Sequence, residues 1–240
     1  MTEGTWLEPL GQGLAVCVSR DHGFGADAFL LAGFAGGKPG DRAADLGTGC
    51  GILPVLLYKM YQCKEIYGLE IQKPAVEQFL ATVSASGLEG RVFPVEGDLR
   101  RLPASLAPGS FDLVVCNPPY FRGSPSPDPA RAAARTEISC SLEEVCAAAA
   151  RLLRFGGRFC VCQRPERLPE LFAAMAARNL TPKRLRLAAD TVSTPPWLAL
   201  VEGRLGGRPG LRAEPLFAAR HPDGTPTQEM NALYQKARTL

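Results

Sequence analysis

From position 41 onward the chain alternates short apolar runs with stretches patterned for helix. That alternation restricts it to a mostly parallel α/β sheet with helices packed on both faces. Residues 41–46 read as a first strand and Ile52–Tyr61 as the helix behind it. Residues 65–69 form a second strand, followed by a helix over 74–86 with Pro74 in its first turn and Gly87 at its stop. Further strands are expected at 91–95, Phe111–Cys116 and 158–162. Ser141 to Glu144 spells a capping box that opens a helix running to about 154, closed by Gly156-Gly157. After a helix over 167–178, the runs 184–188 and 197–204 lie close enough in sequence to pair antiparallel. The expected sheet has seven strands, with a terminal antiparallel strand.

Outside this core the signals are weaker. Residues 27–34 look like a short apolar helix, and Thr225-Pro226-Thr227-Gln228 offers a cap for a last helix over 226–238. No repeat or linker divides the chain, so one domain is expected over 1–240. It comprises an N-terminal extension (1–40), a core (41–204) and a C-terminal extension (205–240).

Composition excludes several classes. Hydrophobic residues make up 46% and charged residues 21%, an ordinary globular mix. No run approaches the roughly 20 apolar residues of a membrane-spanning helix, and the start carries no secretory pattern. The eight cysteines include no C-x-x-C pair, and several fall in strand-like apolar runs. Buried reduced thiols in a cytoplasm are expected rather than a metal site or a disulfide framework. The net charge of +3 is small, but residues 183–212 hold six basic side chains (Lys183, Arg184, Arg186, Arg204, Arg208, Arg212) against Asp190 and Glu202. Such a local excess suits either phosphate binding or a solvated basic surface.

The cofactor is chosen by Asp45-Leu46-Gly47-Thr48-Gly49-Cys50-Gly51, at the turn from first strand to first helix, where open α/β sheets bind nucleotides. A dinucleotide site wants G-x-G-x-x-G, whereas here the third glycine position is Ile52. Asp45 disfavours a pyrophosphate beside the turn and suits a ligand carrying an ammonium and a sulfonium, S-adenosylmethionine (SAM). Glu70, at the end of the second strand, can accept hydrogen bonds from the ribose hydroxyls. Asp98 can accept from the adenine amine of SAM, or can instead cap a helix. The expected cofactor contacts thus include Asp45, Gly47, Thr48, Gly49, Gly51, Glu70 and Asp98.

Asn117-Pro118-Pro119-Tyr120 chooses the chemistry. Each proline fixes its own φ and pushes the preceding residue toward extended backbone, holding Asn117 and the Pro118 carbonyl stiffly at the sheet edge. A planar amine is a poor nucleophile because its lone pair is delocalised. Acceptors on both of its N–H bonds bias the nitrogen toward pyramidal geometry and aim the lone pair at a sulfonium methyl. Asn117 and Pro118 supply those acceptors, and Tyr120 can stack on the ring. No metal is required for such an in-line transfer, and a target base must first leave its stack.

Together these two segments resemble the amino-methyltransferases of the Rossmann-like class I superfamily. The entry Phe24-Gly25-Ala26-Asp27, the extension Tyr120-Phe121, the stretch Ala134-Arg135-Thr136-Glu137 and the tail from Asp223 to Tyr234 are similar to the bacterial valine-tRNA adenine-N6 methyltransferase family. The resemblance implies methylation of the adenine 3′ of the anticodon, with RNA, and tRNA in particular, as the partner. It places Phe24, Asp27 and Asn117 at the cofactor, and Tyr120, Phe121, Arg122 and Arg135 at the substrate. The loop after Phe121, with Pro125, Pro127 and Pro129, is idiosyncratic. A protein-glutamine methyltransferase is the rival reading, since a primary amide offers the same two N–H donors. DNA adenine methylation and a non-catalytic RNA-binding module complete the alternatives.

Overall fold

The computed structural model describes residues 4–118 and 140–238. Its elements in chain order are the hairpin β1 (Trp6–Gly11) and β2 (Leu14–Val18), then α1 (Ala26–Ala35), β3 (Arg42–Leu46) and α2 (Ile52–Tyr61). There follow β4 (Glu65–Glu70), α3 (Lys73–Ala85), β5 (Val92–Glu96), β6 (Phe111–Cys116), α4 (Leu142–Leu152), β7 (Leu153–Gln163) and α5 (Leu168–Ala176). The chain continues through β8 (Leu180–Ala189), β9 (Leu198–Leu205), the short β10 (Arg212–Ala213) and β11 (Phe217–Ala218), and α6 (Gln228–Arg238).

Among the described residues the main sheet runs β10-β8-β9-β7-β6-β3-β4-β5, with β11 also on β8. β3 to β7 pair in parallel, and β9 is inserted antiparallel between β7 and β8. The seven-stranded, mostly parallel sheet expected from the sequence is present, and the two-residue strands β10 and β11 widen it beyond β8. β3 has β4 on one side and β6 on the other, so the strand order reverses there. A crevice opens at the carboxyl ends of strands at such a switch point.

Successive strand residues feed opposite cores. Ala43, Val115, Cys160 and Cys162 pack with α1, α2, the hairpin and α6, whereas Ala44, Val114, Phe159 and Val161 pack with α4 and α5. The capping box on α4 forms as expected, with Ser141 Oγ accepting from the Glu144 N–H and the Glu144 carboxylate accepting from the Ser141 N–H. Its stop is corrected. α4 ends at Leu152, and Leu153 already pairs with Phe111 at the start of β6. Gly156 and Gly157 therefore lie inside β7, where the pairing register shifts between Phe111 and Leu113, and Gly156 takes the φ of 76° that this irregularity needs. The last helix is also corrected, because the Met230 N–H bonds to Thr227 Oγ1 and the helix starts at Gln228 rather than Pro226.

The hairpin was not legible in the sequence. All of β1 except Leu10 is exposed, so it lacks an alternating pattern. Side chains far along the chain hold it in place. Thr82 Oγ1 accepts from the Cys17 N–H at 2.9 Å, Ser86 Oγ accepts from the Ala15 N–H at 3.0 Å, and buried Lys59 donates to the Leu10 carbonyl at 2.8 Å.

The apolar helix α1 is clamped at its carboxyl end. Arg158 of β7 donates to the carbonyls of Ala35 and Gly36, and Arg184 of β8 donates to that of Phe34. These are carbonyls a helix end leaves without intrahelical partners. Glu202 of β9, 6% exposed, bridges both guanidiniums, at 2.7 Å to Arg184 and 3.6 Å to Arg158. Among the described residues no helix is long and apolar enough to cross a membrane.

Candidate active site

The glycine loop is stapled to the neighbouring strand. The N–H groups of Gly47 and Thr48 both donate to the Leu69 carbonyl, at 2.9 and 3.0 Å, and the Gly49 N–H donates to Glu70 Oε2 at 2.9 Å. Glu70 Oε1 accepts from the N–H groups of Ile71 and Gln72, each at 2.9 Å. Of roughly four lone-pair sites on a carboxylate, three are thus committed, one to the glycine loop and two to the turn after β4. A ribose hydroxyl would find the remaining one on Oε2.

The three glycines do different work. Gly47, Gly49 and Gly51 all have positive φ, at 74°, 57° and 85°. A Cβ on Gly47 or Gly49 would meet open space, so their backbones are bare toward the crevice, whereas one on Gly51 would drive into the Phe79 ring. Gly51 serves helix packing at the start of α2, and any contact it makes with a ligand is through backbone.

Asp45 is wholly buried, and among the described residues neither of its oxygens has a hydrogen-bond partner. Burial pushes its carboxyl up to about 7, with the charge of Glu70 adding to the rise and the adjacent Thr48 hydroxyl pulling against it. That hydroxyl is itself buried without a closed hydrogen bond. Such a group costs free energy unless a ligand engages it. Asp98, by contrast, is fully engaged by its neighbour. It caps the short turn Leu99–Arg101 by accepting from the Arg100 N–H, and the Arg100 guanidinium bonds both of its oxygens and holds its carboxyl below the usual range.

The strand bearing Asn117 adjoins this loop. The Cys116 thiol donates to the carbonyl of Leu46, the residue before Gly47, at 3.1 Å. Asn117 therefore emerges beside the glycine turn, on the α1 face of the sheet. Its amide NH₂ donates to Asp27 Oδ2 at 3.1 Å, and its oxygen accepts from the Cys162 thiol at 3.0 Å. Asp27 lies in the first turn of α1, and Phe24 packs just ahead of it against Phe29, with ring centroids 6.0 Å apart. Pro118 is buried. The structure thus brings together Asp27, Asp45, Gly47, Gly49, Glu70 and Asn117. Tyr120, Phe121, Arg122 and Arg135 lie outside the described residues.

Cys162 and Thr82 were missed by the sequence reading. Cys162 is found only through strand pairing, since Cys116 opposite Val161 sets the next residues, 117 and 162, side by side. Thr82 Oγ1 donates to the Cys50 carbonyl at 3.0 Å while it accepts from the hairpin, so it ties the hairpin to the glycine loop. The basic excess over 183–212 is also reinterpreted. Arg184 is spent on Glu202 and Glu214, Arg186 on Glu229, and Arg212 on Glu214. Arg184 thereby serves the fold, whereas Arg212 stays on the surface.

A family model described as the methyltransferase small domain matches residues 24–178. The tRNA1(Val) (adenine(37)-N6)-methyltransferase of Porphyromonas gingivalis is 32% identical over an alignment covering 67% of this chain and 66% of that protein, just under two thirds of its length. The protein of the same name from Dickeya chrysanthemi is 32% identical over 79% of this chain and 75% of its own. Among solved structures, a predicted O-methyltransferase from Agrobacterium tumefaciens superposes with a TM-score of 0.72 at 19% identity, covering 89% of this chain and 97% of that one. That last likeness concerns the fold.

Proposed function

Because the chain belongs to the methyltransferase small domain family, we propose that it is a SAM-dependent enzyme that methylates the exocyclic N6 amine of an adenine in tRNA. The nucleotide would be position 37, the one its relatives are named for. The observation that carries this reading is the adjacency of two segments, the Cys116 thiol on the Leu46 carbonyl, which sets Asn117 beside the glycine turn.

The crevice suits SAM on its own terms. A buried carboxyl without partners among the described residues (Asp45), two glycines with bare backbone and a strand-end carboxylate with one lone pair to spare match a ligand carrying cationic and hydroxyl groups. When bound, SAM supplies a sulfonium-activated methyl group. The rest falls to the protein. The oxygen of Asn117 and the carbonyl of Pro118 accept from the two N–H groups of the target amine, which draws its nitrogen toward pyramidal geometry and localises the lone pair for attack on the methyl group. The proline-braced backbone keeps these acceptors from relaxing, so positioning contributes the larger share of the rate. A substrate in tRNA, the free thiols among the described residues and the absence of a spanning helix there all accord with a cytoplasmic setting.

The test is transfer from labelled SAM to bulk tRNA, followed by nucleoside digestion and mass analysis. Label in N6-methyladenosine is the expected result. Label appearing only in protein would replace the reading with glutamine methylation, and no SAM binding by calorimetry would leave a non-catalytic module. Within the active reading, Asn117→Ala lowers kcat by about 100-fold or more while SAM affinity changes by less than about threefold. Equal losses in both would remove the role given to that side chain.

A further inference from the structure

We infer that Asp27 is a positioning residue whose carboxylate dictates which way round the Asn117 amide faces. It thereby keeps the amide oxygen available to the target amine. This rests on the reading of Asn117 as the group that grips that amine.

The oxygen and nitrogen ends of an amide have nearly the same shape, so packing alone cannot choose between them. An ionised carboxylate can, because it only accepts hydrogen bonds and so holds only the NH₂ end. Asp27 Oδ2 accepts from Asn117 Nδ2 at 3.1 Å. Asp27 is itself pinned, since its Oδ1 accepts from the Ala28 N–H at 3.0 Å. The first turn of a helix also favours a negative charge. At the far end of α1, Arg158 and Arg184 grip the last carbonyls, which fixes the helix that carries Asp27. On the opposite side of the amide the Cys162 thiol donates to Oδ1 at 3.0 Å. A flipped Asn117 would set its oxygen against the carboxylate. An amide oxygen has two lone pairs, so accepting from the thiol does not by itself exhaust it.

This arrangement makes an unusual prediction about the most conservative substitution. In Asp27→Asn the Ala28 N–H still claims an oxygen, which leaves the new NH₂ facing the NH₂ of Asn117. Donor then meets donor, and Asn117 turns over to offer its own NH₂ to the target amine. Asp27→Ala removes the carboxylate's share of the preference and keeps the weak thiol donor. The reciprocal swap, Asp27→Asn with Asn117→Asp, restores a donor against an acceptor and leaves one carboxylate oxygen toward the amine.

The experiment measures kcat and KM for methyl transfer to tRNA, SAM affinity by calorimetry, and the asparagine side-chain NH₂ signals by ¹⁵N NMR. Wild type has three asparagines, Asn117, Asn179 and Asn231, so the Asn117 pair is assigned by its loss in Asn117→Ala. Expected are a fall in kcat of about 30-fold for Asp27→Asn and about tenfold for Asp27→Ala, each at least about threefold larger than any accompanying loss of SAM affinity. The swap should exceed the product of the two single effects by at least about fivefold. The Asn117 NH₂ signals should move in Asp27→Ala. Three results overturn the inference: wild-type kcat in Asp27→Asn, SAM affinity falling in step with kcat, or a swap that shows no coupling. Should the wild-type protein not methylate tRNA at all, the substrate reading fails by itself. The NMR signals then decide the orienting role, upholding it if they move in Asp27→Ala and removing it if they stay.

Discussion

Asp45 carries a consequence for stability that can be read from its burial. Its carboxyl titrates near 7 in the folded chain, against an ordinary value of 3.8. Between those values the unfolded chain has released a proton that the folded chain still holds, so stability falls as pH rises from about 4 to about 7. Above that window the full cost is in place, on the order of 4 kcal/mol before the unfolded state and local relaxation are considered. Asp45→Asn should therefore flatten the pH dependence of the melting temperature between about pH 4 and 7, where wild type declines. A wild-type profile as flat as the variant's would mean that the carboxyl is ionised throughout. Cationic SAM beside Asp45 should pull the proton off. Calorimetry at about pH 6, in buffers of different ionisation enthalpy, should then register proton release by wild type and none by Asp45→Asn.

At the scale of elements, the hairpin β1–β2 and the glycine loop are joined through one hydroxyl. Thr82 accepts from the Cys17 N–H and donates to the Cys50 carbonyl, and the side chain is fully buried on α3. Thr82→Val keeps the shape and removes both bonds, leaving a buried N–H and a buried carbonyl unpaired at a cost of about 1–3 kcal/mol each. Because one of them belongs to the loop, SAM affinity should weaken along with the melting temperature. Loss of stability with unchanged SAM affinity would show that the hairpin is only a brace on α3.

Charge has to be judged over the whole molecule. The basic run at 183–212 invites a phosphate-binding reading, yet Arg184, Arg186 and Arg212 each face a carboxylate once the chain folds. Replacing Arg186 or Arg212 by alanine should leave the slope of log affinity for tRNA against log salt unchanged. A decrease in slope of about one for either would place that side chain on a phosphate.

The same contrast shows how much of the molecule could be read beforehand. The strands and helices of the core were legible because their periodicity and stops are local, as with Ile52–Tyr61 and Phe111–Cys116, which form with the expected bounds. Elements defined by distant partners were not. β1 carries no apolar alternation and is held through its pairing with β2, which α3 anchors, and α4 stops before its glycines because Leu153 finds Phe111. At the site, the sequence by itself determined the acidic glycine turn and the proline-braced asparagine, since their chemistry lies in consecutive residues. Only the tertiary structure decided that Asp27, 90 positions away, meets the Asn117 amide, and that Cys162 lies on its other side. An amide's direction depends on the hydrogen-bonding groups around it in space, and strand register and helix clamping, rather than neighbours in the chain, bring those groups there.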